Sequence, residues 1–298
     1  MSASDHGRAD SGGRRDFLRK AGALPAALMA GGCAAEAEDV APKKTAMPQI
    51  RIGPHSISRL ICGSNPFNGG SHLSVFVNRQ MRSHYTPEKT LETLRRCREV
   101  GINCWQGGVG GAQLYKRLVD EGGKMHYIAI AHHGEVTDRL FKEGKIDQIH
   151  DYLKRVRDAG MTVGVSTHMP DVVDTVESKG WDVDYYMTCV YERHRSAEEL
   201  EKLLGQAPIP VGEVYLPLDP PRMFKAIRQT RRPCLAFKIL AAGRLSERRQ
   251  WVEQAFRETF ESIKPDDAVI VGIYDRYSDQ PGENAALVRR FGAGSRSR

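Results

Sequence analysis

Ser58-Arg59-Leu60-Ile61-Cys62-Gly63-Ser64-Asn65-Pro66-Phe67-Asn68-Gly69-Gly70 is the stretch on which the fold turns. Residues 58–62 have the composition of a strand, and they feed a turn of Gly, Ser, Asn and Pro. A doubly wound nucleotide-binding sheet carries a Gly-x-Gly-x-x-Gly turn after its first strand, so that the backbone can approach a pyrophosphate. Residues 63–70 do not hold that spacing. The reading therefore moves to a (β/α)8 TIM barrel, whose strand-to-loop turns carry no such requirement.

Working outward, short apolar runs alternate with longer segments of helical period, as a parallel α/β fold requires. The runs predict strands at 58–62, 102–106, 126–131, 162–166, 184–190, 234–239 and 268–272, with a weaker one at 212–216. Helices are predicted at 87–100, 112–121, 145–159, 171–178, 197–204, 221–229, 246–263 and 284–291. The clearest is 87–100, with Thr86 as cap, Pro87 in the first turn and Gly101 as the stop. Seven or eight such repeats in about 245 residues match the size of a TIM barrel. One repeat, between Ala131 and Thr162, is expected to be shortened.

The 298 residues are 40% hydrophobic and 27% charged, which excludes a disordered, collagenous or coiled-coil chain. No apolar stretch reaches the ~18 residues of a bilayer span. A net charge of +7 from 44 basic and 37 acidic residues suits acidic ligands and does not imply nucleic acid. The six cysteines include no C-x-x-C pair, so their spacing indicates neither a zinc site nor a disulfide framework.

Residues 1–37 have to be set apart as a targeting segment. Arg14-Arg15-Asp16-Phe17-Leu18-Arg19-Lys20, followed by a weakly apolar run at 21–32, resembles a twin-arginine signal peptide. The resemblance implies export of a folded chain by the twin-arginine machinery and a periplasmic or extracytoplasmic location. It also makes a cofactor taken up before export more expected. Ala35-x-Ala37 suits ordinary cleavage, and a lipid anchor at Cys33 is the alternative. The organisation expected is a signal at 1–37, a linker at 38–49, the barrel at 50–292 and a disordered tail at 293–298.

Within the barrel, Ser58–Gly63, Gly101–Gln106, Gly164-Val165-Ser166-Thr167-His168 and Val271-Gly272 with Glu283-Asn284 resemble the aldo/keto reductase superfamily, in a divergent exported bacterial branch. The resemblance implies an NADP-dependent oxidoreductase acting on a carbonyl-bearing small molecule, such as a sugar derivative. It also implies cofactor binding by Glu283 and Asn284. The family's Asp-Tyr-Lys-His tetrad is not retained. Its Asp falls on Gln106, its Tyr on Gly111, and its Lys near His132 or His133.

Strand ends of a TIM barrel carry its chemistry. The residues expected there include Asn65, Asn68, Gln106, His132, His133, Glu135, His168, Tyr191, Lys238 and Tyr274. Three uses compete. His132, His168 and Glu135 have the donor types for a divalent metal, which would serve a sugar isomerase, lyase or hydrolase. Lys238, alone at the end of an apolar strand, has the setting of a Schiff-base amine, or it pairs with Glu213 or Asp219. In the third use a nicotinamide is retained, His132, His168 or Tyr191 supplies the acid-base group, and Arg244 and Arg276 meet the phosphates. A non-catalytic ligand-binding barrel is the reading outside enzymes.

Overall fold

The computed structural model describes residues 46–107, 112–120, 125–129, 132–209 and 213–293. The leader, Cys33, most of the linker, Gly111 and the end of the tail lie outside the described residues.

A hairpin of β1 (Gln49–Ile52) and β2 (His55–Ser58) precedes the barrel. Seven parallel strands follow: β3 (Leu60–Gly63), β4 (Cys104–Gly107), β5 (His126–Ala129), β6 (Gly164–Thr167), β7 (Tyr185–Cys189), β8 (Cys234–Phe237) and β9 (Ala268–Gly272). They are ordered β5-β4-β3-β9-β8-β7-β6. The two ends of that order meet just beyond β5. The His132 amide donates to the Gly164 carbonyl at 3.1 Å, and the Ser166 amide donates to the His132 carbonyl at 3.1 Å. The sheet is thereby curled into an α/β barrel.

Two sequence expectations are corrected. The predicted first strand at 58–62 is broken at Arg59, whose buried guanidinium donates to the carbonyls of Asp267, Gly292 and Lys264. Residues before it pair in the hairpin and those after it enter the ring. The repeat after β5 is not shortened: it holds α4 (Gly134–Lys142) and α5 (Gln148–Asp158). The eighth strand is what is missing among the described residues, since Glu213–Leu216 pairs with no strand.

Alternation along the strands separates two cores. Leu60 and Cys62 face the helices, whereas Ile61 faces inward to meet Cys104, Tyr185, Met187, Leu235 and Ile270. Ile50, Ile52 and Ile57 of the hairpin join that inner set and plug the N-terminal mouth. Gly164 marks the tightest point, because a Cβ there would lie 2.3 Å from Tyr185 Cζ. Gly164→Ala is expected to cost about 1–3 kcal/mol, seen as a lower midpoint in denaturant unfolding.

Helices cover the outside. Between β3 and β4 run α1 (Val75–His84) and α2 (Pro87–Glu99). Thr86 caps α2 as expected, its side chain accepting from the Lys89 amide. Helix α3 (Ala112–Asp120) precedes β5, α6 (Pro170–Ser178) follows β6, and α7 (Ala197–Leu204) and α8 (Asp219–Gln229) lie between β7 and β8. Helices α9 (Arg249–Ser262) and α10 (Gln280–Phe291) flank β9. Helix α10 starts four residues before the predicted 284, because the Asp279 side chain accepts from the Gly282 amide and Pro281 sits in the first turn. Among the described residues no helix is long and apolar enough to cross a membrane.

Candidate active site

The hairpin closes one mouth of the barrel and the strand ends leave the other open. There a cavity of about 610 Å3 is walled by the Gly63–Leu73 loop, Gln106, His133, Glu135, Ser166, His168, Arg193, Phe237, Lys238, Gly272 and Tyr274.

Lys238 follows directly on the apolar strand β8, with its backbone in the left-handed region at φ 61°. A lysine in that region is strained, and such strain is characteristic of functional positions. Its Nζ is buried and has no hydrogen-bond partner among the described residues. Burial, reinforced by the Arg193 charge, pushes the ammonium down to about 8 from its usual 10.5.

The nearby carboxylates do not pair with Lys238 because Arg193 takes them. Its Nη2 donates to Glu135 Oε1 at 2.6 Å, and its Nη1 donates to Glu213. Glu213 also meets His72 Nδ1 at 2.8 Å and accepts from the Tyr215 hydroxyl at 2.8 Å. Burial opposes the charge of Glu213, but His72, Tyr215 and Arg193 outweigh it and hold the carboxyl at about 2. Asp219, the first residue of α8, is held by Arg195. Neither of the ion pairs considered for Lys238 from sequence is formed.

His168 lies just past β6. Its Nδ1 is 2.7 Å from Asp138 Oδ2, and its amide donates to the same oxygen at 3.1 Å. The Thr167 hydroxyl donates to Asp138 Oδ1 at 2.5 Å, which fixes the carboxylate. A carboxylate accepts only, so Nδ1 carries the proton and Nε2 is the free acceptor. Burial lowers the imidazole below its usual 6.5 against the pull of Asp138, with Arg193 and Lys238 adding to the lowering. His168 is therefore a neutral, oriented base at pH 7. Helix α4 reaches it because Gly134 has no side chain: a Cβ there would lie 3.0 Å from both His168 Cε1 and Ser166 Oγ.

Sequence reasoning missed Asp138 and Arg193. Asp138 was accessible in principle, since it stands four residues after Gly134 and so on the same face of a helix. That helix was not predicted. Arg193 sits in the irregular segment after β7, where no periodicity points to it.

Gln106, His168 and Lys238 thus share one cavity, with Asn65 and Asn68 in its loop wall. His132 is elsewhere: its Nδ1 is 2.7 Å from Thr137 Oγ1 and its ring packs edge-on to Tyr152 at 5.0 Å. Strand alternation explains this, because it turns His132 outward and leaves His133 on the wall. Tyr191 is buried against Tyr215, with ring centroids 5.1 Å apart, and does not line the cavity.

The metal set expected from His132, His168 and Glu135 does not converge. Each is bound to a different partner, namely Thr137, Asp138 and Arg193. Among the described residues no group of three or more His, Cys, Asp or Glu could hold a metal.

The cofactor set divides as well. Arg244 stacks on the Tyr215 ring at 4.1 Å and donates to the His72 carbonyl at 3.2 Å, bracing the mouth. Glu283 accepts from Ser278 at 3.0 Å, and Asn284 is buried on α10; neither lines the cavity. Arg276 is exposed beside Tyr277. Tyr274 does line the cavity, with its ring packed edge-on to His84 and Tyr277 and its hydroxyl beside Arg276. Its hydroxyl and the Gln106 amide are the lining groups of a type that could meet the flat amide-bearing end of a nicotinamide.

No family model matches this chain, and no curated protein matches it. Solved structures do match. A glycerol dehydrogenase from Gluconobacter oxydans is 12% identical over 83% of this chain and 90% of its own, with a TM-score of 0.46. An aldo-keto reductase from Bacillus halodurans is 12% identical over 80% of this chain and 91% of its own, with a TM-score of 0.47. A phospho-2-dehydro-3-deoxyheptonate aldolase from Thermotoga maritima is 12% identical over 83% of this chain and 72% of its own, with a TM-score of 0.43. The barrel assignment rests on the strand ladders above, and the chemistry has to come from the residues of the cavity.

Proposed function

We propose that this barrel is an aldo/keto reductase-like oxidoreductase that interconverts a carbonyl and the corresponding alcohol in a small polar molecule. Lys238 and His168 stand in for the absent tyrosine. One observation carries the reading: a buried ammonium without a partner and an imidazole oriented by Asp138 open onto the same cavity.

The division of labour follows from charge. Lys238 donates to the substrate oxygen and stabilises it as it becomes an alkoxide, a contact worth most where water is excluded. His168 Nε2 takes the hydroxyl proton of an alcohol and returns it when a carbonyl is reduced. When bound, a nicotinamide cofactor takes up or delivers the hydride. Tyr274 would hold its nicotinamide end and Arg276 its phosphates. The amides of Gln106, Asn65 and Asn68 suit a hydroxylated substrate, which supports a sugar derivative.

The test is a fluorescence titration with NADPH followed by carbonyl-dependent NADPH oxidation over a panel of sugars. Saturable binding with turnover supports the proposal, whereas absence of nucleotide binding overturns it in favour of a binding protein. The Arg14-Arg15 leader supports a location outside the cytoplasm. Replacing both arginines by lysine is expected to leave the chain in the cytoplasmic fraction, and unchanged export would remove that placement.

A further inference from the structure

We infer that Lys238 is also an amine nucleophile, which condenses with small hydroxylated aldehydes or ketones to give an imine whose α-hydrogen His168 exchanges. No nucleotide takes part, so this activity stands apart from the oxidoreduction proposed above.

Three features of the cavity carry it. First, the Nζ of Lys238 is buried and unpartnered, while both neighbouring carboxylates, Glu135 and Glu213, are engaged by the Arg193 guanidinium. A lysine kept for an ion pair would have taken one of them. Second, the wall around it is apolar on the strand side, through Phe237, Ile239 and Leu240. Such a setting favours the neutral amine, in line with the lowered proton affinity of the group. Third, a base is already in place. His168 packs edge-on against Phe237, with ring centroids 5.7 Å apart, and Asp138 holds its Nδ1. Nε2 is therefore the atom left to act in the cavity.

The chemistry balances without an oxidant. The neutral Nζ bonds to the carbonyl carbon, the carbonyl oxygen leaves as water, and one proton taken up from solvent gives the protonated imine. The α-C–H proton then passes to His168 Nε2 while its electron pair forms the enamine double bond. Return of a proton and of water releases the carbonyl compound, the free amine and the proton taken up from solvent. In heavy water the released compound carries deuterium at the α-carbon.

The test uses the full chain without nucleotide and dihydroxyacetone as the probe. Cyanoborohydride is added to reduce any imine to a stable secondary amine, which is located by peptide mass mapping. Labelling concentrated at residue 238 and approaching one adduct per chain is expected, with no label there in Lys238→Arg, which keeps the charge. Proton exchange of dihydroxyacetone in heavy water, followed by NMR, should fall about 100-fold in His168→Asn. Labelling no greater at Lys238 than at surface lysines would overturn the inference. An adduct at Lys238 with exchange no faster than in buffer would overturn the His168 step. Neither result bears on NADPH binding or oxidation, so the two proposals fail separately.

Discussion

Lys238→Met is expected to lower turnover about 100- to 1,000-fold, the range for removing one donor from a developing oxyanion, and at the same time to stabilise the fold. The two effects have opposite signs for one reason. The ammonium of Lys238 is carried in a buried site without a partner, so its proton is held less tightly in the folded chain, near 8, than in the unfolded chain, near 10.5. Between those values the unfolded state binds more protons, and stability rises with pH. Below about pH 8 the penalty is present in full, and it fades as pH climbs toward 10.5. Methionine removes the penalty and bears the same left-handed backbone as the lysine it replaces. At pH 7 the variant should gain up to about 3 kcal/mol, and at pH 10.5 the gain should have largely disappeared. Urea unfolding at the two pH values, beside a turnover assay, measures both. A variant that loses activity and stability together would mark Lys238 as a structural residue.

Asp138→Asn carries the second large effect. The carboxylate fixes the tautomer of His168, and an amide in its place can donate to Nδ1 and so drive the proton to Nε2, the atom required as base. Activity should fall about 100-fold or more, approaching that of His168→Ala. The loss should be in kcat more than in KM, because the imidazole stays in the wall of the cavity. Removing the carboxylate also removes the one influence that raises the proton affinity of His168, so the acidic limb of the pH profile should move to lower pH. Steady-state kinetics from pH 4.5 to 7 would show this. An Asp138→Asn variant with unchanged kcat and an unmoved limb would separate the carboxylate from the reaction.

How far the chain could be read beforehand varied with how local the cause was. Helix α2 was legible because Thr86, Pro87 and Gly101 mark its ends and Leu91 and Leu94 its buried face. Helix α1 was not, since Val75–His84 buries only Met81 and so shows no apolar period. Helix α4 was missed for a different reason: it opens with Gly134, a residue that reads as a breaker and is needed for close approach to His168. With α4 went Asp138, the one partner that gives His168 a role. Lys238 was legible because an apolar strand ends in a single charge. What could not be read was that Arg193 takes both nearby carboxylates, since that depends on three segments distant in sequence meeting at the mouth. The same limit applies to His132 and His133, where one residue of register decides which ring faces the cavity.

The central claim is that the Lys238 ammonium and the neutral His168 imidazole act together on one oxygen. The pH dependence of kcat/KM for nucleotide-linked alcohol oxidation tests it most directly, because that ratio reports the free enzyme's acid and base. Burial, with the Arg193 charge, lowers the lysine against the opposing pull of Cys189, Glu213 and Glu135, and His168 lines the same cavity. The account predicts a bell. The rate rises with pH as His168 loses its proton below 6.5, then falls near 8 as Lys238 loses its own. In Lys238→Arg, whose guanidinium keeps its proton throughout this range, the falling limb should vanish from whatever rate remains. A falling limb that persists at the same pH in Lys238→Arg would contradict the account.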